Sequence, residues 1–155
     1  MNITIIELDE FECVFKPSVF IKIISTANKT CFTLGAIYRS PNCSSEESND
    51  LNLQINKVAK QLFNSGEDFI IVGDFNYPEI NWSNETCSEA ASHLNAFKLL
   101  ETVQVNNLVQ LVDKPTHHRA LQQATLIDLL LSNDSDLVSN IQFYPPFGMS
   151  HHGVI

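Results

Sequence analysis

The stretch Asp68-Phe69-Ile70-Ile71-Val72-Gly73-Asp74-Phe75-Asn76 decides how this chain folds. Apolar residues run from Phe69 to Val72 without alternation, the pattern of a strand covered on both faces. Gly73 then permits a tight exit, and an acid and an amide follow two positions apart. If extended geometry persists, the side chains of Asp74 and Asn76 leave the strand end on the same side. A carboxylate can accept a proton and a carboxamide can donate a hydrogen bond. Because open α/β sheets place ligands beyond their strand ends, the pair suits activation of water beside a phosphate. The same residues also suit an Asx-type turn that only satisfies local backbone groups. Taken alone, the stretch leaves both readings open.

Outward from it, Ser44-Ser45-Glu46-Glu47 offers a helix start, and Leu51, Ile55, Val58 and Leu62 follow at helical spacing until Gly66. Thr4 to Leu8, Val19 to Ser25 and Cys31 to Tyr38 read as strands, with Asn28-Lys29 as a turn between the last two. Residues 30–74 therefore form a βαβ unit with an expected right-handed crossover, and the sheet is expected to be mixed. A second helix is predicted from near Ser88 to Val105, with Leu94, Phe97, Leu100 and Val103 as its apolar side. Short strands are predicted at Leu108 to Val112, Thr125 to Leu131 and Ile141 to Tyr144, interrupted by Pro115 and Pro145-Pro146.

A chain of 155 residues, 44% hydrophobic and 17% charged, suits one globular domain with a real core. It contains no apolar run of the roughly 20 residues needed to cross a bilayer and no basic secretory start, so an intracellular, non-membrane protein is expected. The four cysteines form no Cys-x-x-Cys pair and are expected to be reduced thiols. The formal charge of −9 excludes nucleic-acid binding by general electrostatics, so any DNA contact must be local.

Four polar clusters join Asp74 and Asn76 at strand ends or in loops. Tyr38-Arg39-Ser40-Pro41 offers a phenol and a guanidinium within reach of a phosphoester, although a tyrosine ending a strand is commonly just packed. Pro115-Thr116-His117-His118-Arg119 offers a hydroxyl, two imidazoles and a cation, the histidines being read as solvated loop residues. Asp128 stands in an apolar run, where a carboxylate needs a partner. Ser150-His151-His152 lies near the end, and His152 could serve a phosphate if Asp128 oriented its other ring nitrogen.

Taken in order, these clusters resemble the endonuclease/exonuclease/phosphatase, or DNase I-like, superfamily. The nearest resemblance is to endonuclease domains of jockey-type non-LTR retrotransposon polyproteins. It is carried by Ala36-Ile37-Tyr38-Arg39-Ser40-Pro41-Asn42, Gly73-Asp74-Phe75-Asn76-Tyr77-Pro78-Glu79-Ile80-Asn81-Trp82, Thr125-Leu126-Ile127-Asp128-Leu129-Leu130-Leu131-Ser132-Asn133 and Asp136-Leu137-Val138-Ser139-Asn140. It covers residues 15–155, within a single partial domain spanning 1–155. The implied fold is an α/β (α+β) sandwich of the four-layered αββα type with mixed sheets, truncated at its N-terminus. The implied reaction is nicking of DNA at a phosphodiester, with Mg²⁺ or Mn²⁺ assisting the leaving oxygen.

The resemblance gives Asp74 and Asn76 the attacking water, Tyr38 the scissile phosphate, and His152, oriented by Asp128, the developing charge. Arg39, Thr116 and Ser150 match polar positions near the phosphate or DNA. The metal ligands have no secure match. The family's first strands and glutamate ligand precede the matching region, and Glu7, Asp9, Glu10 and Glu12 do not fit its context. His151 stands where the family has aspartate, and imidazole is a poor Mg²⁺ ligand. The resemblance thus implies an impaired endonuclease whose absent strands another chain could supply. Its alternatives are a silent nuclease-like fragment that binds phosphoesters or a protein, and a non-functional relic.

Overall fold

The computed structural model describes residues 3–8, 11, 14–27 and 30–155. Six strands form one mixed sheet: β1 (Ile3–Glu7), β2 (Ser18–Ser25), β3 (Thr30–Tyr38), β4 (Asp68–Asp74), β5 (Val109–Gln110) and β6 (Asp128–Ser132). Their order is β1-β2-β3-β4-β6-β5, with β3 and β4 parallel and every other pair antiparallel. Helices α1 (Ser45–Ser65) and α2 (Leu94–Val105) belong to the α/β layer that covers one face. The described residues thus build a helical layer and a mixed sheet, two of the four layers the resemblance implies.

The βαβ unit forms as its sequence dictates. Ser44 caps α1 by accepting the Glu47 N–H, while the Glu47 carboxylate accepts the Ser44 N–H, so two orphan donors of the first turn are satisfied reciprocally. Gly66 ends the helix in the left-handed conformation at φ 67° and donates its N–H to the Leu62 and Phe63 carbonyls. Leu51, Ile55, Val58 and Leu62 pack against Phe20, Ile37, Phe69, Ile71, Leu129 and Leu131, which share the helix-covered face of the sheet.

Three expectations are corrected. Helix α2 begins at Leu94 after a 3₁₀ turn at Ala91–His93, and its buried side is Ala96, Leu99, Leu100 and Val103. The i, i+3, i+4, i+7 spacing of these residues makes a continuous stripe, whereas Leu94 is exposed. Residues 141–144 form no strand: only Tyr144 bridges to Val154, next to Pro145-Pro146. The segment from Thr125 joins the sheet only at Asp128, because the backbone of 125–127 is bound to Thr116, His117 and Phe75. The Asn28-Lys29 turn, together with Asp9, Glu10, Glu12 and Cys13, lies outside the described residues.

Gly73 is not where β4 stops, since the strand runs on through Asp74. The glycine is required for another reason. Its φ is 153°, and a Cβ placed there would sit 1.8 Å from the Ile37 carbonyl oxygen. We expect Gly73→Ala to destabilise the fold by about 2–3 kcal/mol or more, since it combines a disfavoured backbone with a backbone clash. Gly66→Ala, where the space is open, should cost only about 1 kcal/mol. Denaturant unfolding of the two variants checks the difference.

Candidate active site

Strand register assembles the cleft. Tyr38 on β3 pairs with Asp74 on β4, and Asp74 pairs with Asp128 on β6. Residues directly opposite one another share a face, so a phenol and two carboxylates stand in a row across three strands. They stand on the face away from the helices, where Leu34, Ile70, Val72 and Leu130 are only half-buried. The C-terminal segment closes over the row. His117 bridges both Thr125 and His152, and Gly153 donates its N–H to the Thr116 carbonyl at 2.7 Å.

His152 is thereby placed between the carboxylates. Its Nδ1 lies 3.0 and 3.2 Å from the two oxygens of Asp128, and its Nε2 lies 4.0 Å from Asp74 Oδ2. Asp74, Asp128 and His152 can bring ligand atoms within 4.8 Å of one another, close enough for one metal ion. The expected orientation of His152 by Asp128 is therefore present. Burial, followed by the negative charge of Asp128, raises the Asp74 pKa, while His152 and hydrogen bonds from Asn76 oppose the rise. Cavities of about 420 and 430 Å³ open on either side of Asp74. The first is lined by Tyr38, Asn76, His117, Arg119 and His152, and the second by Asp128 and apolar residues that include Val72, Leu130 and Ile141.

Asn76 does not continue the strand. Its φ of 51° is left-handed, its N–H donates to Asp74 Oδ1 at 3.1 Å, and its Nδ2 donates to the Arg39 carbonyl at 2.7 Å. The stretch makes the Asx turn, so the extended geometry expected from Asp74 to Asn76 does not persist, and the turn brings Asn76 to the cleft wall.

Arg39 is placed beneath the cleft instead of facing a phosphate. It is 6% exposed, with its guanidinium 3.9 Å from the centre of the Tyr77 ring and donating to the Asn76 carbonyl and to Ser48 Oγ. Its backbone N–H donates to the Asp74 carbonyl, so it ties together the ends of β3 and β4. Thr116 is 1% exposed, and its Oγ accepts the N–H groups of Ile127 and Asp128. It is turned into the backbone and does not line the cleft, contrary to the position expected beside a phosphate. Ser150 is exposed, and its Oγ accepts the His152 N–H. His151 is exposed, with its ring 6.1 Å from that of His117 and its carbonyl accepting the His118 N–H. Glu7 lies on the edge strand β1, with two strands between it and β4, and does not line the cleft.

His117 is the residue that the sequence undervalued. Its ring packs edge-on against His152 at 4.9 Å, and burial together with neighbouring positive groups lowers its pKa. The sequence placed it in a polar cluster but read it as solvated. The contact exists only because residues 117 and 152 meet in space.

The profile of the endonuclease–reverse transcriptase family matches residues 32–155. The chain belongs to this family, within the endonuclease/exonuclease/phosphatase superfamily. The endonuclease domain of TRAS1, a telomere-specific non-LTR retrotransposon, superposes with a TM-score of 0.71 over 97% of this chain and 66% of that one, at 17% identity. A mannosyl-6-phosphatase of Bacteroides thetaiotaomicron superposes at 0.51 and 11% identity, over 76% of this chain and 43% of that one. An endonuclease/exonuclease/phosphatase family protein of the same bacterium gives 0.51 and 11%, over 76% and 42%. At these identities the likeness is one of fold, and the chain spans less than two thirds of each neighbour. No curated protein matches the sequence. Among the described residues no helix is long and apolar enough to cross a membrane.

The raised Asp74 carboxyl has a signed consequence. The folded state favours the protonated form, so this group's contribution to stability is fully present below the unfolded carboxylate pKa of about 3.9 and is lost as pH rises through the folded value. Asp74→Asn should therefore gain stability relative to the parent at pH 7 but not at pH 3. Thermal unfolding at the two pH values checks this, and ¹³C NMR of the parent should show Asp74 titrating above an ordinary aspartate.

Proposed function

We propose that this cleft hydrolyses DNA phosphodiester bonds, as a nicking endonuclease of the retrotransposon type. The reading is carried by the alignment of Tyr38, Asp74 and Asp128 across three strands with the His152 imidazole between the carboxylates. In it, Asp74 takes the proton of the attacking water, and its raised pKa makes it a better base than an ordinary aspartate. Asn76, fixed by its turn, orients that water. Tyr38 is exposed and donates its hydroxyl to the scissile phosphate. His152 stabilises charge on the phosphoryl oxygens, and Asp128 holds its ring in register. Arg39 and Thr116 act as positioning residues through the backbone groups they bind. DNA contacts are local, with Arg119 as the cation on the cleft wall, in keeping with a chain whose formal charge is −9.

The family implies Mg²⁺ or Mn²⁺. The donor set fits Mg²⁺ poorly, because one of its two carboxylates is bound to an imidazole and its third member offers nitrogen. A second reading, a silent module that binds phosphoesters in the same cleft, is favoured by one observation: an imidazole at position 151 where the family resemblance calls for a carboxylate.

Incubation of the chain with supercoiled plasmid and Mg²⁺ or Mn²⁺ separates the two. We expect slow nicking by the parent, at least about 10²-fold less in Asp74→Ala, and about 10-fold or more faster in His151→Asp. Absence of nicked circles from both the parent and His151→Asp would overturn the hydrolytic reading in favour of binding alone.

A further inference from the structure

Acidic residues are spread unevenly along this chain. It holds 18 Asp and Glu against nine Lys and Arg, yet residues 114–127 and 137–155 contain no acid, and they carry Lys114, Arg119 and four of the five histidines. The two segments lie side by side: His117 bridges to His152, the His118 N–H donates to the His151 carbonyl at 2.8 Å, and the Gly153 N–H donates to the Thr116 carbonyl at 2.7 Å. Among the described residues neither Lys114 nor Arg119 is ion-paired. An otherwise acidic protein thus carries one strip whose own side chains do not repel a polyanion, and the strip borders the cleft through His117, Arg119 and His152.

An apolar tip stands out from this strip. Gly148, at a left-handed φ of 61°, turns the chain so that the Ser150 N–H donates to the Phe147 carbonyl at 3.2 Å. Phe147 and Met149, on either side of the glycine, are 88% and 97% exposed and contribute nothing to the core. Pro145 and Pro146 restrict the backbone before the turn, and after it Ser150 Oγ accepts the His152 N–H at 3.1 Å.

We infer that Phe147 and Met149 form a wedge that enters a groove of duplex DNA and unstacks a base step while the cleft holds the backbone. The inference rests on the proposed DNA reading of the cleft. Wedges of this kind are built from Phe, Leu, Ile, Met or Pro, and the kink they cause lays more of the duplex against the protein. The spacing fits. Met149 precedes His152 by three residues, a span of at most about 11 Å, and base steps rise about 3.4 Å, so the wedge falls within about three steps of a phosphate facing His152. The unpaired cations of the strip then meet neighbouring phosphates, which favours a nucleic acid over an apolar partner.

A short duplex carrying 2-aminopurine at TA steps, which unstack most readily, tests this in the absence of divalent ions. Binding is followed in parallel by the anisotropy of an end label. The expected result is a several-fold rise in 2-aminopurine fluorescence as the chain binds. In the double variant Phe147→Ala with Met149→Ala the rise should be lost and affinity should fall by about 5-fold or more. The slope of log affinity against log salt should stay unchanged, because no charge is removed. Phe147→Trp should keep the rise, and Phe63→Ala, which removes a 73% exposed ring from α1, should alter neither reading. The inference is overturned if no duplex binds, if the duplex binds without a rise, if the rise persists in the double variant, or if that variant loses binding to anionic vesicles and not to DNA. A rise without nicking under Mg²⁺ or Mn²⁺ upholds the wedge and overturns hydrolysis alone.

Discussion

The close approach of Gly73 to the Ile37 carbonyl is the constraint on which the cleft depends. With no side chain at this position, β4 lies flush against β3 up to its last residue, and Asp74 emerges beside Tyr38. On the other edge, Asp74 meets Asp128 in antiparallel register. A one-residue slip in either pairing would turn an acid toward the helices, where Ile37, Ile71 and Leu129 form the core. Hydrophobic packing on one face therefore fixes the position of polar groups on the other. Arg39 completes the arrangement from below, with its backbone and side chain both bonded to the segment from Asp74 to Asn76.

The cleft holds its charges in tension. Two carboxylates are brought together at a partly buried strand end, and a single imidazole lies between them. His152 bonds to Asp128 and stands off from Asp74, so the two acids are made unequal: one is hydrogen-bonded to the ring, and the other bears burial and the charge of its neighbour. Unequal carboxylates around a histidine are a general way to separate a positioning group from a reactive one. The division follows from the path of residues 150–155 over the sheet, where Thr116 and Tyr144 hold the segment through backbone bonds.

Membership of the endonuclease–reverse transcriptase family gives this arrangement a chemical context. At the mouth of the cleft the His117 ring stands 4.9 Å from that of His152 and 6.1 Å from that of His151.

The sequence by itself determined most of the scaffold. The apolar run into Gly73, the capping box at Ser44 and the Leu51-Ile55-Val58-Leu62 stripe are local patterns, and each folds as its own spacing dictates. Asp74, Asn76, Asp128 and His152 were legible as chemistry from their residue types, their clusters and the family resemblance. Their roles in the assembly were less so. Arg39 is buried under Tyr77, Thr116 is turned into the backbone, and His117, read as solvated, is packed on His152. Strand boundaries after residue 108 also escaped, because backbone bonds from distant residues outcompeted local β preference there. Which acid binds the imidazole and which stands apart was decided only by tertiary structure. Residues 74, 128 and 152 are far apart in the chain, and their separations of 3.0 and 4.0 Å are set by strand register and chain path, which no local pattern encodes.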